Sequence, residues 1–371
     1  MRFLLSRYVL VLILAILGFE GLVRLGFYEP LVNPQSHSGT TISLKKALKA
    51  FGKENVDVIT LGDSRAVQGL NNRRIFEASA DFGLNHIRMS MPGSHFLTFK
   101  TLAAFGTQEL PELRGIVLAL SPANFGQLGL GPYELAVVLP LRNKTSIGEM
   151  LHHVPFNLSD LRTYTSIFSL AGYREDIKEL VSGPGLRLDA LWKRDKFSPE
   201  KFLTFNGEQT TDICAVATDD PPACLDELER VSADTPPKAW SALHTLCKAA
   251  LRKPEEHAPG EVEEALAGEW TAFLEKLARK VRVMVVLLPD HSLYKEHLYS
   301  PNALYVANKV LGELDRKGVI DLVDLNGLIE QQDEQECSYF MDARHLNNQG
   351  KQVLTQAVLP ELEKFWRQST L

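Results

Sequence analysis

The sequence has few cysteines and no excess of positive charge. Its 371 residues include four cysteines, and the formal net charge is −6. No two cysteines form a Cys-x-x-Cys pair, and no spacing of cysteine and histidine is typical of a zinc site. The acidic balance gives no electrostatic reason to expect nucleic acid as a partner. We therefore expect no metal, no cofactor and no nucleic acid, and we interpret His152–His153 and Asp290–His291 as solvated loops.

The four cysteines are Cys214, Cys224, Cys247 and Cys337. An even number allows two disulfides if the protein is exported to an oxidising compartment. Cys214 and Cys224 flank a loop that contains proline, and they are the pair that we expect to be bonded. Free buried thiols are the alternative.

An uninterrupted apolar run lies at the N-terminus, from Tyr8 to Phe19. A helix over residues 3–28 would be long enough to cross about 30 Å of hydrocarbon at about 1.5 Å per residue. Arg7 and Arg24 would then reach opposite interfaces, whereas Glu20 would be costly inside the membrane. The run predicts an uncleaved signal anchor. A cleaved signal peptide and a buried helix of a soluble protein are the alternatives.

The charges before this run predict its orientation. Arg2 and Arg7 precede it and favour a cytoplasmic N-terminus. The protein would then cross the cytoplasmic membrane once, with its C-terminal body in the periplasm.

Five short apolar runs alternate with longer amphipathic stretches. Their continuous content of Val, Ile and Leu is typical of strands that are buried on both faces, as in a parallel sheet. Strands that alternate with helices predict βαβ units, with helices on both faces of the sheet. We therefore predict an α/β fold, a three-layer sandwich around a central parallel sheet. The predicted strands are Val56–Leu61, His86–Met91, Gly115–Leu120, Val281–Leu288 and Val319–Leu325.

The interval from Phe125 to Pro259 breaks this alternation. It is far longer than the usual connection in such a fold, and it contains three of the four cysteines. We interpret it as an inserted, partly helical subdomain that serves as a lid, a polymer-binding surface or a docking site. The predicted organisation is a signal anchor (1–28), a linker that is polar over 29–41 with a lead-in helix (29–50), the first part of the sandwich (51–125), the insertion (126–258) and the second part (259–371).

The first predicted strand ends in Gly62-Asp63-Ser64. Sites in parallel sheets lie at the carboxyl ends of the strands, yet a lone Gly-Asp-Ser is more often an ordinary turn. A serine hydroxyl attacks efficiently only when a neighbouring base takes its proton. Asp342 and His345 follow the last strand, and their spacing of three at a loop-to-helix junction lets the carboxylate orient the imidazole. The residues therefore present a candidate Ser-His-Asp arrangement.

Gly62-Asp63-Ser64, the pair Asp342-x-x-His345 and the tail HLNNQGKQVLTQAV together resemble the SGNH (GDSL-type) hydrolase superfamily. The resemblance covers about residues 57–366 apart from the insertion. It implies a parallel-sheet α/β sandwich in which Ser64 is the nucleophile, His345 the base and Asp342 its orienting partner. It also implies an oxyanion hole formed by the Ser64 backbone N–H together with a glycine and an asparagine, at Gly93 and Asn124.

The third block of the superfamily pattern is altered in this chain. Pro122 stands where a glycine is usual, and Phe125 stands where a second acid is usual. Gly93 and Asn124 therefore also have a plain interpretation as turn residues.

The two neighbours of Ser64 have structural interpretations as well. Asp63 is expected to accept hydrogen bonds rather than to act in catalysis. Arg65 replaces a common leucine, and it either binds an anionic substrate or forms an ion pair at the surface.

Members of this superfamily are esterases, lipases, acetylhydrolases and O-acyltransferases. The membrane-anchored branch resembles bacterial alginate O-acetylation proteins and the protein for D-alanylation of lipoteichoic acid, which work beside a multispanning membrane acyltransferase. The resemblance thus implies a membrane-tethered serine acyl enzyme that forms an acyl-serine and transfers an acyl group, acetyl in our expectation, to a cell-envelope polysaccharide, or hydrolyses its esters. The alternatives are a non-catalytic accessory protein that binds a polymer or a membrane acyltransferase, and a lipase whose insertion is a lid.

Overall fold

A computed structural model describes residues 7–126, 128, 132–144, 157, 160–192, 198–207, 210, 213–214, 260–292, 294–295, 301–342 and 344–369. The chain forms two compact units. We call one the helical unit (Met1–Phe51, Gly93–Phe105 and Gly129–Phe202) and the other the sheet unit (Gly52–Pro92, Gly106–Leu128 and Leu203–Leu371).

The sheet unit contains a five-stranded sheet in which all neighbouring strands are parallel. The strand order is β2-β1-β3-β4-β5, so the chain changes direction across the sheet between β1 and β3. The predicted α/β fold around a parallel sheet is confirmed, and the third predicted strand has the observed bounds. The strands are β1 Val58–Gly62, β2 His86–Arg88, β3 Gly115–Leu120, β4 Arg282–Leu287 and β5 Asp321–Asp324.

Helices precede and follow these strands. The α-helices are α1 Arg7–Arg24, α2 His37–Phe51, α3 Ser64–Gly69, α4 Asn72–Ala80, α5 Phe96–Glu109, α6 Pro132–Val138, α7 Leu161–Ile167, α8 Ser169–Gly172, α9 Arg174–Ser182, α10 Pro184–Trp192, α11 Pro199–Leu203, α12 Glu261–Ala278, α13 Pro301–Arg316 and α14 Asn348–Ser369. Short 3₁₀ helices lie at Glu29–Leu31, Lys53–Asn55, Pro122–Gly126, Leu139–Lys144, Ile329–Gln331 and Glu336–Tyr339.

The strands of the sheet unit are buried on both faces, as their apolar sequences predict. Alternate strand residues point to opposite faces. One set packs in a single core with α14, and this core includes Val117, Ala119, Met284, Val286, Leu354, Val358, Leu362 and Trp366. The other set, which includes Ile116, Leu118, Val283 and Val285, is also fully buried. Apolar side chains therefore cover both faces, which is compatible with a three-layer sandwich.

In the helical unit, the C-terminal end of α1 is packed and the rest of its apolar surface is exposed. Glu20 is 4 % exposed and accepts the backbone N–H groups of Ser169 and Leu170, as well as Arg24 Nε at 2.7 Å. The exposed apolar residues on α1 are Tyr8, Leu10, Val11, Leu12, Ile13, Leu14, Ile16, Leu17, Phe19 and Leu22.

The N-terminal elements differ in length from the sequence prediction. The described part of the first helix runs from Arg7 to Arg24. The helix ends four residues before the end of the predicted span 3–28, so it is shorter than predicted. Among the described residues, no helix is both long and apolar enough to cross a membrane. The polar linker predicted over 29–41 is also too long, because α2 begins at His37 and much of this helix is buried.

Candidate functional site

The turn after β1 places Ser64 at the start of a helix. A Cβ atom on Gly62 would lie 2.5 Å from the Ala119 carbonyl oxygen and 2.3 Å from Ala66 Cβ, so only glycine fits where β1 meets α3. Asp63 caps α3, because its side chain accepts the backbone N–H of Arg65 at 2.8 Å. Ser64 is the first residue of this helix and is half-buried. The turn therefore places Ser64 at the carboxyl end of the sheet without burying it fully.

A second turn carries the other two predicted site residues. Phe340 and Leu346 form an isolated antiparallel bridge, and Met341 N–H donates to the His345 carbonyl at 2.9 Å. Asn347 closes the turn, because its buried side chain caps α14 through Oδ1 and donates to the Ser338 carbonyl through Nδ2. This short connection holds Asp342 and His345 at a fixed distance from each other.

The two turns meet at Ser64. Ser64 Oγ lies 2.7 Å from His345 Nε2, and His345 Nδ1 lies 2.7 Å from Asp342 Oδ2. The other carboxylate oxygen of Asp342 accepts the backbone N–H groups of Arg344 and His345, each at 2.8 Å. The structure thus brings together three residues that the sequence analysis singled out, although Ser64 and His345 are 281 positions apart.

These contacts determine which nitrogen of His345 carries a proton. Burial raises the pKa of Asp342, but His345 and the two backbone donors outweigh it, so that pKa lies below its usual value. An ionised Asp342 only accepts hydrogen bonds, so His345 Nδ1 must donate. In the neutral imidazole, Nε2 then presents its lone pair to Ser64 Oγ. The arrangement can take a proton from the serine hydroxyl.

A buried cluster of charges adjoins Ser64. The guanidinium of Arg65 contacts the Asp63 carboxylate through Nε and Nη2, and its Nη1 lies 3.2 Å from Asp290 Oδ2. Ser121 Oγ donates to the same Asp290 oxygen. Burial raises the pKa of Asp63, but the charge and hydrogen bonds of Arg65 and the amide of Asn124 lower it to about 2. Arg65 is 7 % exposed and its ion pairs are buried, so one of the two interpretations left open for it, an ion pair at the surface, was wrong.

The two remaining predicted residues are in defined turns. Asn124 is 1 % exposed, donates from Nδ2 to Asp63 Oδ2 at 3.2 Å and accepts the Ser121 N–H at 2.8 Å. Gly93 belongs to the helical unit and has a φ of +72°, a conformation that favours glycine. The oxyanion roles of both residues stay predictions. Asp63 accepts structural hydrogen bonds, as the sequence analysis expected.

The disulfide differs from the one that we expected. Cys214 is bonded to Cys337, across 123 positions, and not to Cys224, which lies outside the described residues. Cys337 is in the 3₁₀ helix just before Asp342, so the bond fixes the segment that carries the acid and the base. The expectation was wrong because it considered only neighbours in the sequence.

Metal binding has no support within the described ranges. They contain no group of three or more side chains that could hold an ion. Asp290 and His291 are 1 % and 4 % exposed, so the expectation of a solvated loop was wrong for this pair. His152–His153 lie outside the described residues.

The sequence analysis gave three side chains that support the site no role in it, and it placed one of them, Asp290, in a solvated loop. Asp290 and Ser121 follow strands at the carboxyl edge of the sheet, and that position is the signal that could have found them. Asn347 stands just before the last helix, where asparagine is a common N-cap.

The chain matches no protein-family model, and a search of curated proteins finds no similar sequence.

Proposed function

We propose that this protein is a serine acyl enzyme of the SGNH type. The observation that carries the proposal is the hydrogen-bonded series from Ser64 through His345 to Asp342, with 2.7 Å at both contacts. The reaction is acyl transfer from an ester, with a cell-envelope polysaccharide as the acceptor or as the ester that is hydrolysed. No cofactor takes part in any step that we derive.

The first half of the reaction acylates the serine. Ser64 Oγ forms a bond to the acyl carbon while its proton passes to His345 Nε2. Asp342 stabilises the imidazolium that results. When the tetrahedral intermediate collapses, the bond to the leaving oxygen breaks and His345 returns the proton to it. The product is an acyl-Ser64 and a free alcohol.

The second half releases the acyl group. His345 takes a proton from an incoming hydroxyl, which then attacks the acyl carbon, and Ser64 leaves as the protonated alcohol. A sugar hydroxyl gives O-acyl transfer, and water gives hydrolysis. Because the same three residues serve both, the choice depends on which hydroxyl reaches the acyl-serine.

The developing oxyanion needs donors near Ser64. Ser64 is the first residue of α3, so its backbone N–H has no partner within the helix. One N–H of the Asn124 amide is bonded to Asp63, and the second is the donor that we assign to the oxyanion. The oxyanion role of Gly93 stays a prediction from the resemblance. Each such donor contributes roughly 10²–10³ in rate.

We also propose a periplasmic location with α1 in the cytoplasmic membrane and a multispanning acyltransferase as a partner. The exposed apolar residues of α1 surround the helix rather than lie on one face, so a single protein groove would not cover them. The polar contacts of Glu20 are satisfied within the helical unit, which removes its cost at the membrane surface. The Cys214–Cys337 disulfide supports an oxidising compartment.

The experiment that tests the proposed reaction is intact-mass analysis of the full chain in detergent after treatment with a fluorophosphonate or an activated acetyl ester. We expect one adduct on the protein and none on a Ser64→Ala variant. Peptide mapping should place that adduct on Ser64. The absence of an adduct from folded protein would contradict the proposal and favour the non-catalytic accessory protein.

A further inference from the structure

Arg65 lies between two buried carboxylates beside Ser64. Asp63, Arg65 and Asp290 are 6 %, 7 % and 1 % exposed. Within the described residues, the side-chain hydrogen bonds of Arg65 go to these two acids alone. One guanidinium therefore neutralises a site that would otherwise hold two carboxylates away from water.

This cluster joins the ends of three strands. Asp63 follows β1, Asn124 and Ser121 follow β3, and Asp290 follows β4. Asp63 accepts from Asn124 Nδ2, and Asp290 accepts from Ser121 Oγ. Arg65 contacts both acids, so it connects the two halves of the cluster. These strand ends are where a parallel sheet places its functional groups.

The cluster fixes which way the Asn124 amide faces. Its Oδ1 accepts the backbone N–H of Ser121, and its Nδ2 donates to Asp63. Ionised Asp63 accepts with both oxygens, whereas a protonated carboxyl would carry an O–H donor on the oxygen that faces one of these two N–H groups, Asn124 Nδ2 or the Arg65 backbone, and would weaken that contact. Asp63 also accepts the backbone N–H of Arg65, which sets the start of the helix that carries Ser64.

Two buried acids without a cation would not both stay ionised. Without the guanidinium, burial would raise the pKa of Asp63. Arg65 on α3 is the charged group that acts on Asp63, and Arg65 itself faces Asp290 after β4 and Tyr294 in the segment beyond it. Of these, Arg65 supplies the positive charge, so the ionisation of Asp63 depends on it.

We propose that Arg65 is a positioning residue for the reaction at Ser64: it keeps Asp63 ionised, and Asp63 in turn holds the Asn124 amide and the turn at Ser64. This inference rests on the proposed function, because it concerns the same serine. Arg65 acts through Asp63 and touches no reacting atom.

The test is the pH dependence of ester hydrolysis by the full chain carrying Arg65→Met. We expect kcat for an aryl acetate to fall about 10²-fold, the effect of one oxyanion donor, while KM changes less than about twofold. On the acid side, the slope of log kcat against pH should increase by about one, because Asp63 now takes up a proton within the pH range of the assay. A structural defect alone would lower kcat equally at every pH.

Three further variants separate charge from shape. Arg65→Lys restores the positive charge, so it should regain part of kcat and the wild-type slope. Asp290→Asn leaves the Arg65–Asp63 pair in place, so its acid limb should keep the wild-type slope and its kcat should fall less than that of Arg65→Met. Arg74→Met, at an exposed position on α4, makes the same exchange away from the cluster and should keep wild-type kinetics.

A fourth variant applies if Arg65→Met does not fold. Asp63→Asn keeps Arg65 and cannot titrate, so we expect a lower kcat with no steepening of the acid limb. Wild-type kcat and slope in folded Arg65→Met, or wild-type kcat in Asp63→Asn, would overturn the positioning role alone. An unreactive Ser64 in the wild-type chain would overturn the proposed function and this inference together.

Discussion

Among the described residues of the sheet unit, two hydroxyl–imidazole pairs have the same contact distance. Ser64 Oγ lies 2.7 Å from His345 Nε2, and Thr60 Oγ1 lies 2.7 Å from His86 Nε2. By this distance alone, both hydroxyls are within reach of a base. The pairs differ at the other nitrogen of each ring.

His345 Nδ1 faces the Asp342 carboxylate, whereas His86 Nδ1 faces the indole N–H of Trp366 at 3.1 Å. A carboxylate accepts a hydrogen bond and an indole N–H donates one. His345 therefore carries its proton on Nδ1, and His86 carries its proton on Nε2. In the first pair the hydroxyl donates to the ring, and in the second pair the ring donates to the hydroxyl.

Burial strengthens the same difference. His86 is 1 % exposed, and desolvation lowers its pKa to about 3, so it stays neutral and takes up no proton near pH 7. The side chain of His345 is 19 % exposed. The comparison teaches that a hydroxyl near an imidazole becomes a candidate nucleophile only when the second partner of the ring is an acceptor.

The largest expected effect comes from Asp342→Asn, which should give His345 the tautomer of His86. The N–H groups of Arg344 and His345 would hold the amide oxygen, so the amide NH₂ would face Nδ1 and force the proton onto Nε2. We expect kcat for an aryl acetate to fall about 10⁴-fold.

Circular dichroism and a urea titration should show that the folded state is retained. A fall of less than about tenfold in folded protein would contradict the role that we assign to Asp342.

Much of the sheet and of the Ser64 site could be predicted from the sequence. The strands are short apolar runs between helices, and local composition is enough to identify such runs. Ser64, Asp342 and His345 could be found because each is a polar residue in a turn next to a predicted strand or helix. These three residues contact one another, and the sequence pattern already placed all of them at the same edge of the sheet.

The rest depends on partners that are distant in the sequence. Arginine is usually a surface residue, and the burial of Arg65 is compensated by Asp63 together with Asp290, which is 225 positions away. Cys214 has Cys224 as its neighbour in sequence but Cys337 as its neighbour in space. No pattern of a single sequence contains these pairings.

The second largest effect should come from removal of the disulfide, which holds the segment with His345 but not the strand with His86. We expect the Cys214→Ser/Cys337→Ser variant to lose about 3–5 kcal/mol of unfolding free energy, as a long closed loop predicts. Hydrolysis should be lost at a lower urea concentration than the circular dichroism signal of the sheet. Equal midpoints for the two signals would show that the bond stabilises both regions alike.

A third, smaller effect concerns pH and His86 alone. Its folded pKa of about 3 lies below the usual value of about 6.5, so protonation favours the unfolded chain. The contribution of neutral His86 to the unfolding free energy is fully present above about pH 6.5 and is lost as the pH falls towards 3. At pH 4.5 the loss is about 2–3 kcal/mol. His86→Gln should be less stable at pH 7 but lose that slope. The measurement is urea unfolding of both proteins at pH 7 and pH 4.5, and parallel losses would contradict this account.

The smallest effect should come from the threonine of the second pair. Thr60→Val removes the hydroxyl and keeps the shape, so the His86 N–H loses its acceptor inside the core. We expect about 1–2 kcal/mol less unfolding free energy with kcat unchanged. Ser64→Ala makes the matching change at His345 and should abolish turnover with less effect on stability, because Ser64 is only half-buried. Kinetics and urea unfolding of the two variants side by side test this, and a loss of kcat in Thr60→Val would mean that the two pairs are coupled.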